Sequence, residues 1–278
     1  MNKLIIGAKG QLGKRLAKEF PDAKTVDVSE LDITNKKSVI DFDWSDIDVI
    51  INAAAYTNVD GAETNEGRSA AWKVNAEAVK NLTHVSWQHD LTLVHISTDY
   101  VFDGSQKEHM ENEAFSPLST YGSSKAAGDL LVSQLDKHYI LRTSWVIGDG
   151  GNFVKTMLEL GKKGVNPTVV SDQVGRLTFT SEVVRAIKHL LDEKAEFGTY
   201  NVTNSGEPAS WADITREIFK IAGYDNTVTD TTTEEYSKGK QYAKRPLNST
   251  LDLDKITATG FEPKDWKEDL KTYIKESR

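Results

Sequence analysis

The sequence predicts an α/β protein with a Rossmann-like doubly wound parallel sheet and a smaller α/β C-terminal substrate lobe. Through residues 1–150, short apolar runs alternate with apolar residues at helical spacing. That alternation is typical of a parallel sheet covered by helices on both faces. The chain also starts with an apolar run, a glycine-rich turn and an amphipathic pattern, in that order. This order is the one expected at a dinucleotide-binding turn.

Five strands and two helical segments, the second of them long, are predicted in the first half. The strand-length apolar runs are residues 3–7, 25–28, 48–52, 91–96 and 139–145. Helical spacing of apolar residues marks residues 14–20 and 66–88. We therefore expect residues 1–150 to form a dinucleotide-binding domain.

The second half is less regular. Helical patterns occur at residues 153–162, 181–192, 211–221 and 264–275, with short strands at 168–170 and 199–202. The polar stretch 227–249 is expected to be a surface loop. We expect residues 151–278 to form a smaller substrate-binding lobe that interleaves with the first domain.

The first turn carries three glycines, Gly7, Gly10 and Gly13. Glycine lets a backbone approach a pyrophosphate closely, and the helix that follows offers free N–H groups and a favourable dipole. The spacing is G-x-x-G-x-x-G, not the G-x-G-x-x-G of the dinucleotide fingerprint, and a plain turn would also contain glycines. Its position between a buried strand and an amphipathic helix favours dinucleotide binding.

Two aspartates follow near the second strand. Asp27 stands where an acid would hydrogen-bond the adenosine ribose, and Asp32 is placed to lie under the adenine. Either residue could equally be a helix N-cap or a turn residue. An acid at position 27 favours NADH, because it would repel a 2′-phosphate.

Tyr121 and Lys125 lie four residues apart. A helix is predicted to start here, with Ser116 as its N-cap and Pro117 in the first helical position. Such a helix places Tyr121 and Lys125 on one face. A free tyrosine, with a pKa of about 10, exchanges protons poorly at neutral pH. A neighbouring ammonium favours the phenolate, and a pKa near 7 would need a shift of roughly 3 units, or about 4 kcal/mol. The pair therefore suits a proton-transfer site, although two exposed polar residues give the same spacing by chance.

Composition excludes several other functions. The chain has 278 residues, a net charge of −8, no cysteine and six histidines without ligand spacing. The acidic balance argues against a nucleic-acid or anionic-membrane partner. The lack of cysteine excludes disulfides and thiolate chemistry, and we expect no metal. The first apolar run is too short for a signal sequence or a membrane span, so a cytoplasmic location is expected.

Four stretches together resemble the extended short-chain dehydrogenase/reductases: the glycine turn, residues 52–55, residues 97–99 and the Tyr121-x-x-x-Lys125 pair. Six further stretches are more closely similar to the dTDP-4-dehydrorhamnose reductase family: residues 10–13, 31–34, 97–104, 116–118, 142–145 and 245–249. The similarity runs from residue 3 to about residue 270.

The resemblance implies NADPH- or NADH-dependent reduction of the C4 ketone of a dTDP-4-keto-6-deoxy sugar. Thr98 would hydrogen-bond the ketone oxygen, Tyr121 would donate the proton, and Lys125 would bind the nicotinamide ribose and lower the pKa of the tyrosine. Asp99 and Trp145 match sugar-contacting positions, although Trp145 would also fit as a core residue at a strand end. The cofactor positions implied are Gly7, Gly10, Gln11, Leu12, Gly13, Asp27, Asp32, Ile33, Ala55, Tyr56, Thr57, Tyr121 and Lys125.

The chain also departs from the family. Lys14 and Arg15 occupy positions where some relatives carry an acid associated with magnesium and dimer formation, so no metal is expected and the chain could be a monomer or a homodimer. Two other functions stay open at this point. One is an epimerase or a reductase for another sugar nucleotide, because epimerases share the Tyr-x-x-x-Lys pair. The other is a non-catalytic, cofactor-binding regulatory subunit.

Overall fold

The computed structural model describes residues 1–277. Its strands, in chain order, are β1 (Lys3–Ile6), β2 (Lys24–Val26), β3 (Val49–Asn52), β4 (Thr92–Thr98), β5 (His138–Thr143), β6 (Val146–Ile147), β7 (Thr168–Val170), β8 (Val174–Gly175), β9 (Thr178–Phe179), β10 (Gly198–Asn201), β11 (Ala209–Ser210) and β12 (Thr229–Thr231).

Its α-helices are α1 (Gln11–Glu19), α2 (Lys36–Asp41), α3 (Asn65–Trp72), α4 (Ala78–Gln88), α5 (Thr120–Val132), α6 (Phe153–Lys162), α7 (Thr180–Asp192), α8 (Trp211–Ala222), α9 (Thr233–Ser237), α10 (Asp254–Thr257) and α11 (Trp266–Glu276). Short 3₁₀ turns cover Gly61–Glu63 and Asp99–Val101, and a π-helical segment, Lys73–Glu77, joins α3 to α4. Among the helices within residues 1–277, none is long and apolar enough to cross a bilayer.

Six parallel strands form the central sheet, in the order β2-β1-β3-β4-β5-β10. β1 and β3 are almost wholly apolar and buried, as parallel strands covered on both faces must be. The predicted fold class is therefore confirmed. All six carboxyl ends lie along one edge, which is where ligands bind in this architecture.

Each face of the sheet has its own apolar core. On one face, α2 and α4 pack against the side chains of Leu4, Ile6 and Ile50. On the other, α1 and α7 pack against Ile5 and Ile51. Alternate residues of one strand thus serve opposite cores, because successive side chains of a strand point to opposite faces.

The second half of the chain contributes both to the central sheet with its covering helices and to the smaller lobe. β10 pairs with β5, and α7 covers one face of the central sheet. A third core, around Trp266 and the helices α6, α8 and α11, forms the smaller lobe. The division into residues 1–150 and 151–278 stays a prediction.

Three local expectations differ from the structure. The N-cap of α5 is Ser119, whose Oγ accepts the N–H of Gly122, and not Ser116. The Ser116 hydroxyl instead accepts the N–H of Asp103, which keeps residues 116–118 outside the helix. The predicted helix 66–88 is interrupted by the π segment, and the predicted loop 227–249 contains β12 and α9.

Candidate active site

The glycine turn brings β1, α1 and β3 into close contact. Gly7 has a φ of +79°, and a Cβ at this position would lie 2.8 Å from the backbone nitrogen of Ala54. A Cβ on Gly13 would lie 2.1 Å from the carbonyl oxygen of Gly7. Both positions therefore require glycine, for the turn itself and for the packing of helix on strand.

A cavity of about 290 Å³ opens beside this turn, at the carboxyl ends of β1, β2 and β3. Six of the predicted cofactor residues line it: Gly7, Gly10, Asp27, Asp32, Ile33 and Ala55. Apart from Thr34, the rest of its wall is apolar. The N-cap of α1 is Gly10, which has no side chain to cover the first turn of that helix. A bare helix N-terminus above an apolar slot fits a nicotinamide dinucleotide.

Four other predicted cofactor residues are placed differently. The Gln11 side chain turns toward the second lobe, where its Nε2 donates to the carbonyl of Gly151 at 3.2 Å. Leu12 packs against the core between α1 and α7, Gly13 is buried within α1, and Thr57 is exposed. Their assignment to the cofactor stays a prediction. The residues of α1 would contact the cofactor through their backbone N–H groups.

The two aspartates are both held by hydrogen bonds from the protein. Asp27 accepts the N–H groups of Val28 (2.9 Å) and Lys9 (3.0 Å), and these bonds lower its pKa, so it is a carboxylate at the rim of the cavity. Asp32 accepts from the backbone and hydroxyl of Thr34 in a local turn. Asp32 thus acts as a turn residue while it also lines the cavity.

Tyr121 and Lys125 are both buried on the inner side of α5, at 9% and 2% exposure. Tyr121 lies in an apolar cluster with Tyr56 and Tyr100, whose ring meets it edge-on at 5.5 Å. Tyr56 directly follows Ala55 of the cofactor cavity. The phenol does not line the 290 Å³ cavity, but it packs against the residue that follows the cavity wall at Ala55. Its place beside a nicotinamide stays a prediction.

The pKa of Tyr121 was predicted with the wrong sign for the resting protein. Burial raises this pKa above its ordinary value, the Thr98 hydroxyl lowers it, and the charge of Asp99 raises it further. Helical spacing shows the ammonium four residues away but not the loss of hydration, which is the largest effect on this buried phenol. Tyr121 consequently holds its proton at neutral pH.

Lys125 is anchored to β4 rather than to solvent. Its Nζ donates to the carbonyl of Ile96 at 2.6 Å and lies 3.3 Å from Nε2 of His95. Burial lowers the pKa of Lys125 to about 8, against the opposing influence of Asp129 one turn further along α5. The amine is thus mostly protonated at pH 7 and loses its proton as the pH rises through about 8.

Thr98 and Asp99 end β4 beside the phenol. The Thr98 hydroxyl donates to Oδ1 of Asp99 at 3.1 Å and forms a hydrogen bond with Tyr121 that lowers the pKa of that phenol. Burial raises the pKa of Asp99 to about 6, although hydrogen bonds from Ser249 and Thr98 oppose the shift. The Thr98 hydroxyl and the protonated phenol of Tyr121 therefore lie together at the end of β4.

A second cavity, of about 480 Å³, lies in the smaller lobe. Trp145, with a left-handed φ of 46°, stacks on Trp211 at 3.8 Å, and Trp211 lines this cavity. A positive φ at a bulky residue is a strained conformation that tends to occur at functional sites. Trp145 thus packs on one residue of the cavity wall without lining the cavity itself, and its contact with a sugar stays a prediction.

Sequence reasoning missed the residues of this second cavity. The Arg245 guanidinium lies 3.7 Å from the ring centre of Tyr242 and pairs with Asp60 at 2.9 Å. Gln173 connects Trp211 to Tyr242 by hydrogen bonds. Residues 245–249 resemble the family in sequence, but that resemblance by itself assigns Arg245 no role.

The parallel doubly wound sheet, the glycine turn beside a cofactor cavity and the buried Tyr-x-x-x-Lys pair at the end of β4 define the short-chain dehydrogenase/reductase class. Within that class, the chain belongs to the RmlD substrate binding domain family, whose model matches residues 1–278.

Known relatives agree along the whole chain. It is 42% identical to a dTDP-4-dehydrorhamnose reductase of Aggregatibacter actinomycetemcomitans, over 96% of each chain. The crystal structure of a dTDP-4-dehydrorhamnose reductase from Clostridium acetobutylicum superimposes with a TM-score of 0.92 at 41% identity, covering 100% of this chain and 99% of the other. The Bacillus anthracis enzyme of the same name, crystallised in complex with NADP, gives 0.90 at 35% identity, with 100% of both chains covered.

Proposed function

We propose that this protein reduces the C4 ketone of dTDP-4-dehydrorhamnose to dTDP-L-rhamnose, using NADPH or NADH. The observation that carries the proposal is the buried Thr98–Tyr121 hydroxyl pair, packed beside Tyr56, which follows the cavity wall at Ala55. Its support is a family in which relatives of 42% and 41% identity bear the reductase name.

The reaction needs a proton at the oxygen that gains negative charge as the ketone is reduced. A bound nicotinamide cofactor supplies the hydride. Tyr121 donates its phenolic proton to the oxygen, and the Thr98 hydroxyl hydrogen-bonds the same oxygen. A raised pKa at Tyr121 does not prevent this step, because an alkoxide is a far stronger base than a phenolate. The Lys125 ammonium favours the phenolate that remains.

The second cavity has the chemistry expected for the nucleotide part of the substrate. Trp211 and Tyr242 offer aromatic surfaces for a pyrimidine ring, and Lys240 and Arg245 supply positive charge for a diphosphate. Burial raises the pKa of Tyr100, and Arg245 lies close enough to that phenol to oppose the rise. Tyr100 contacts Tyr121 in turn, so the cavity adjoins the proton donor.

A spectrophotometric assay tests the reaction. The purified protein, NADPH and the dTDP-4-keto sugar should give a falling absorbance at the nicotinamide band. Tyr121→Phe should lower kcat by about 10²- to 10⁴-fold, the usual contribution of a general acid. Tyr200→Phe is the matched control, because the Tyr200 hydroxyl donates to Glu196 in the core away from the cavity. No turnover by the wild type, or full turnover by Tyr121→Phe, would disprove the proposal.

The substrate panel separates the neighbouring functions. UDP- and GDP-keto sugars, offered with each nicotinamide, should be turned over much more slowly than the dTDP sugar. Equal rates, or interconversion of sugars without net oxidation of cofactor, would favour another sugar-nucleotide reductase or an epimerase. A stable enzyme partner combined with no turnover would favour a regulatory subunit.

The remaining expectations form part of the same proposal. We propose a cytoplasmic enzyme that acts as a monomer or a homodimer, without bound metal and without a nucleic-acid partner. The net charge of −8 supports the last point. Sedimentation at several protein concentrations distinguishes monomer from dimer, and a chelator should leave the reaction rate unchanged.

A further inference from the structure

A row of three buried polar side chains crosses the sheet from β3 through β4 to α5. Asn52, His95 and Lys125 are 1%, 0% and 2% exposed. Nδ2 of Asn52 lies 3.2 Å from Nδ1 of His95, and Nε2 of His95 lies 3.3 Å from Nζ of Lys125. Both imidazole nitrogens are therefore engaged inside the protein.

The backbone determines which atom Asn52 presents to the imidazole. The N–H of Ala54 donates to Oδ1 of Asn52 at 3.1 Å, so this oxygen is the acceptor in that contact. The side-chain NH₂ consequently points at Nδ1 of His95, which must accept. A neutral imidazole that accepts at Nδ1 carries its proton on Nε2.

This arrangement gives Lys125 two unequal states. A neutral amine accepts the Nε2–H of His95, and every hydrogen bond in the row is satisfied. An ammonium is only a donor, so Nε2 must accept from it and the imidazole proton must move to Nδ1. There it faces the NH₂ of Asn52, donor against donor.

We propose that His95 is a positioning residue whose tautomer governs the charge that Lys125 presents to Tyr121. The inference rests on the proposed function for its catalytic meaning, while the coupling itself is a property of the free protein. His95 stays neutral throughout, because burial and the charge of Lys125 both lower its pKa.

Groups other than His95 also face Lys125 and affect its pKa. On α5 this is Asp129, whose carboxylate favours the ammonium. From β4 the carbonyl of Ile96 accepts from Nζ, and from β5 Arg142 pairs with Asp129 at 3.0 Å. None of these groups changes when the imidazole proton moves.

The wild-type protein allows a direct test without substrate. With ¹⁵N-labelled histidine and lysine, NMR reports the His95 tautomer and the protonation of Lys125 Nζ across a pH titration. We expect the Nε2–H form at high pH and the Nδ1–H form at low pH, with the change at the same midpoint as the Lys125 titration. A single tautomer throughout the lysine titration would overturn the inference.

Asn52→Asp tests the coupling through the far end of the row. One carboxylate oxygen can keep the Ala54 bond while the other accepts Nδ1–H, which frees Nε2 to accept from the ammonium. We expect the Lys125 midpoint and the upper limb of the kcat/KM pH profile to rise by about one pH unit, a tenfold change in the proton equilibrium. An unchanged midpoint would contradict the inference.

His95→Gln is the second variant. In this background, Asn52→Asp should lose most of its effect on the Lys125 midpoint, because the imidazole no longer transmits the change. If the Lys125 midpoint shifts fully in the double variant, the new carboxylate acts by its charge alone. That result would overturn the role of His95. If NMR shows that the His95 tautomer changes with the Lys125 titration but no ketone is reduced, the proposed function is wrong and the coupling between His95 and Lys125 is still supported.

Discussion

Removal of the Asp129 carboxylate should be strongly destabilising. Asp129 and Arg142 form an ion pair at 3.0 Å, with side chains only 1% and 4% exposed. Breaking a buried pair by removing one partner costs about 3–5 kcal/mol, because the remaining charge is buried without compensation. For Asp129→Ala we expect a loss in this range, a large part of the 5–15 kcal/mol that is typical of a folded domain.

The surroundings of Arg142 place the expected loss toward the lower end of this range. Its Nη1 still donates to the carbonyl of Glu111 at 2.9 Å. The guanidinium also lies between the rings of Phe102 and Phe115, at 5.2 and 5.0 Å from their centres. These contacts stabilise a lone cation without replacing a carboxylate.

Equilibrium unfolding in urea, followed by tryptophan fluorescence, measures the effect. Asp192→Ala is the control, because the Lys188–Asp192 pair on α7 is about half exposed on both sides and such pairs contribute only about 0.3–0.5 kcal/mol. The double variant Asp129→Leu/Arg142→Met should recover most of the loss. A loss for Asp129→Ala no larger than that of the control would refute the reasoning.

Three further outcomes follow from the site. Gly13→Ala should lower the free energy of unfolding by about 1–3 kcal/mol in thermal unfolding, because its Cβ would lie 2.1 Å from backbone. Gly151→Ala is the control and should have no effect, because nothing lies within 4 Å of its Cβ. Asp27→Ala should strengthen NADPH binding relative to NADH in a titration of both cofactors, because a carboxylate at the cavity rim repels a 2′-phosphate; equal changes for both would contradict this. The kcat/KM of the reductase should fall as the pH rises through about 8, because Lys125 is charged below that value and loses its proton above it; a flat profile up to pH 10 would contradict the role of the ammonium.

The sequence by itself determined the local features of this protein. The runs that became β1 and β3 are short, apolar and bounded, and the three glycines lie between a strand and an amphipathic helix. The placement of Tyr121 and Lys125 on one helix face follows from the helical period alone. Each of these features depends on neighbours within a few residues, so a linear pattern contains it.

Only the tertiary structure decided the electrostatics and the second cavity. The pKa of Tyr121 is raised because packing removes water from the phenol, and no local pattern records that loss. Arg245 meets Asp60 across 185 positions of sequence, and Asn52 reaches Lys125 through a histidine on the strand between them. Desolvation and long-range contacts are properties of the packed molecule, and they decide here which proton is held and which can move.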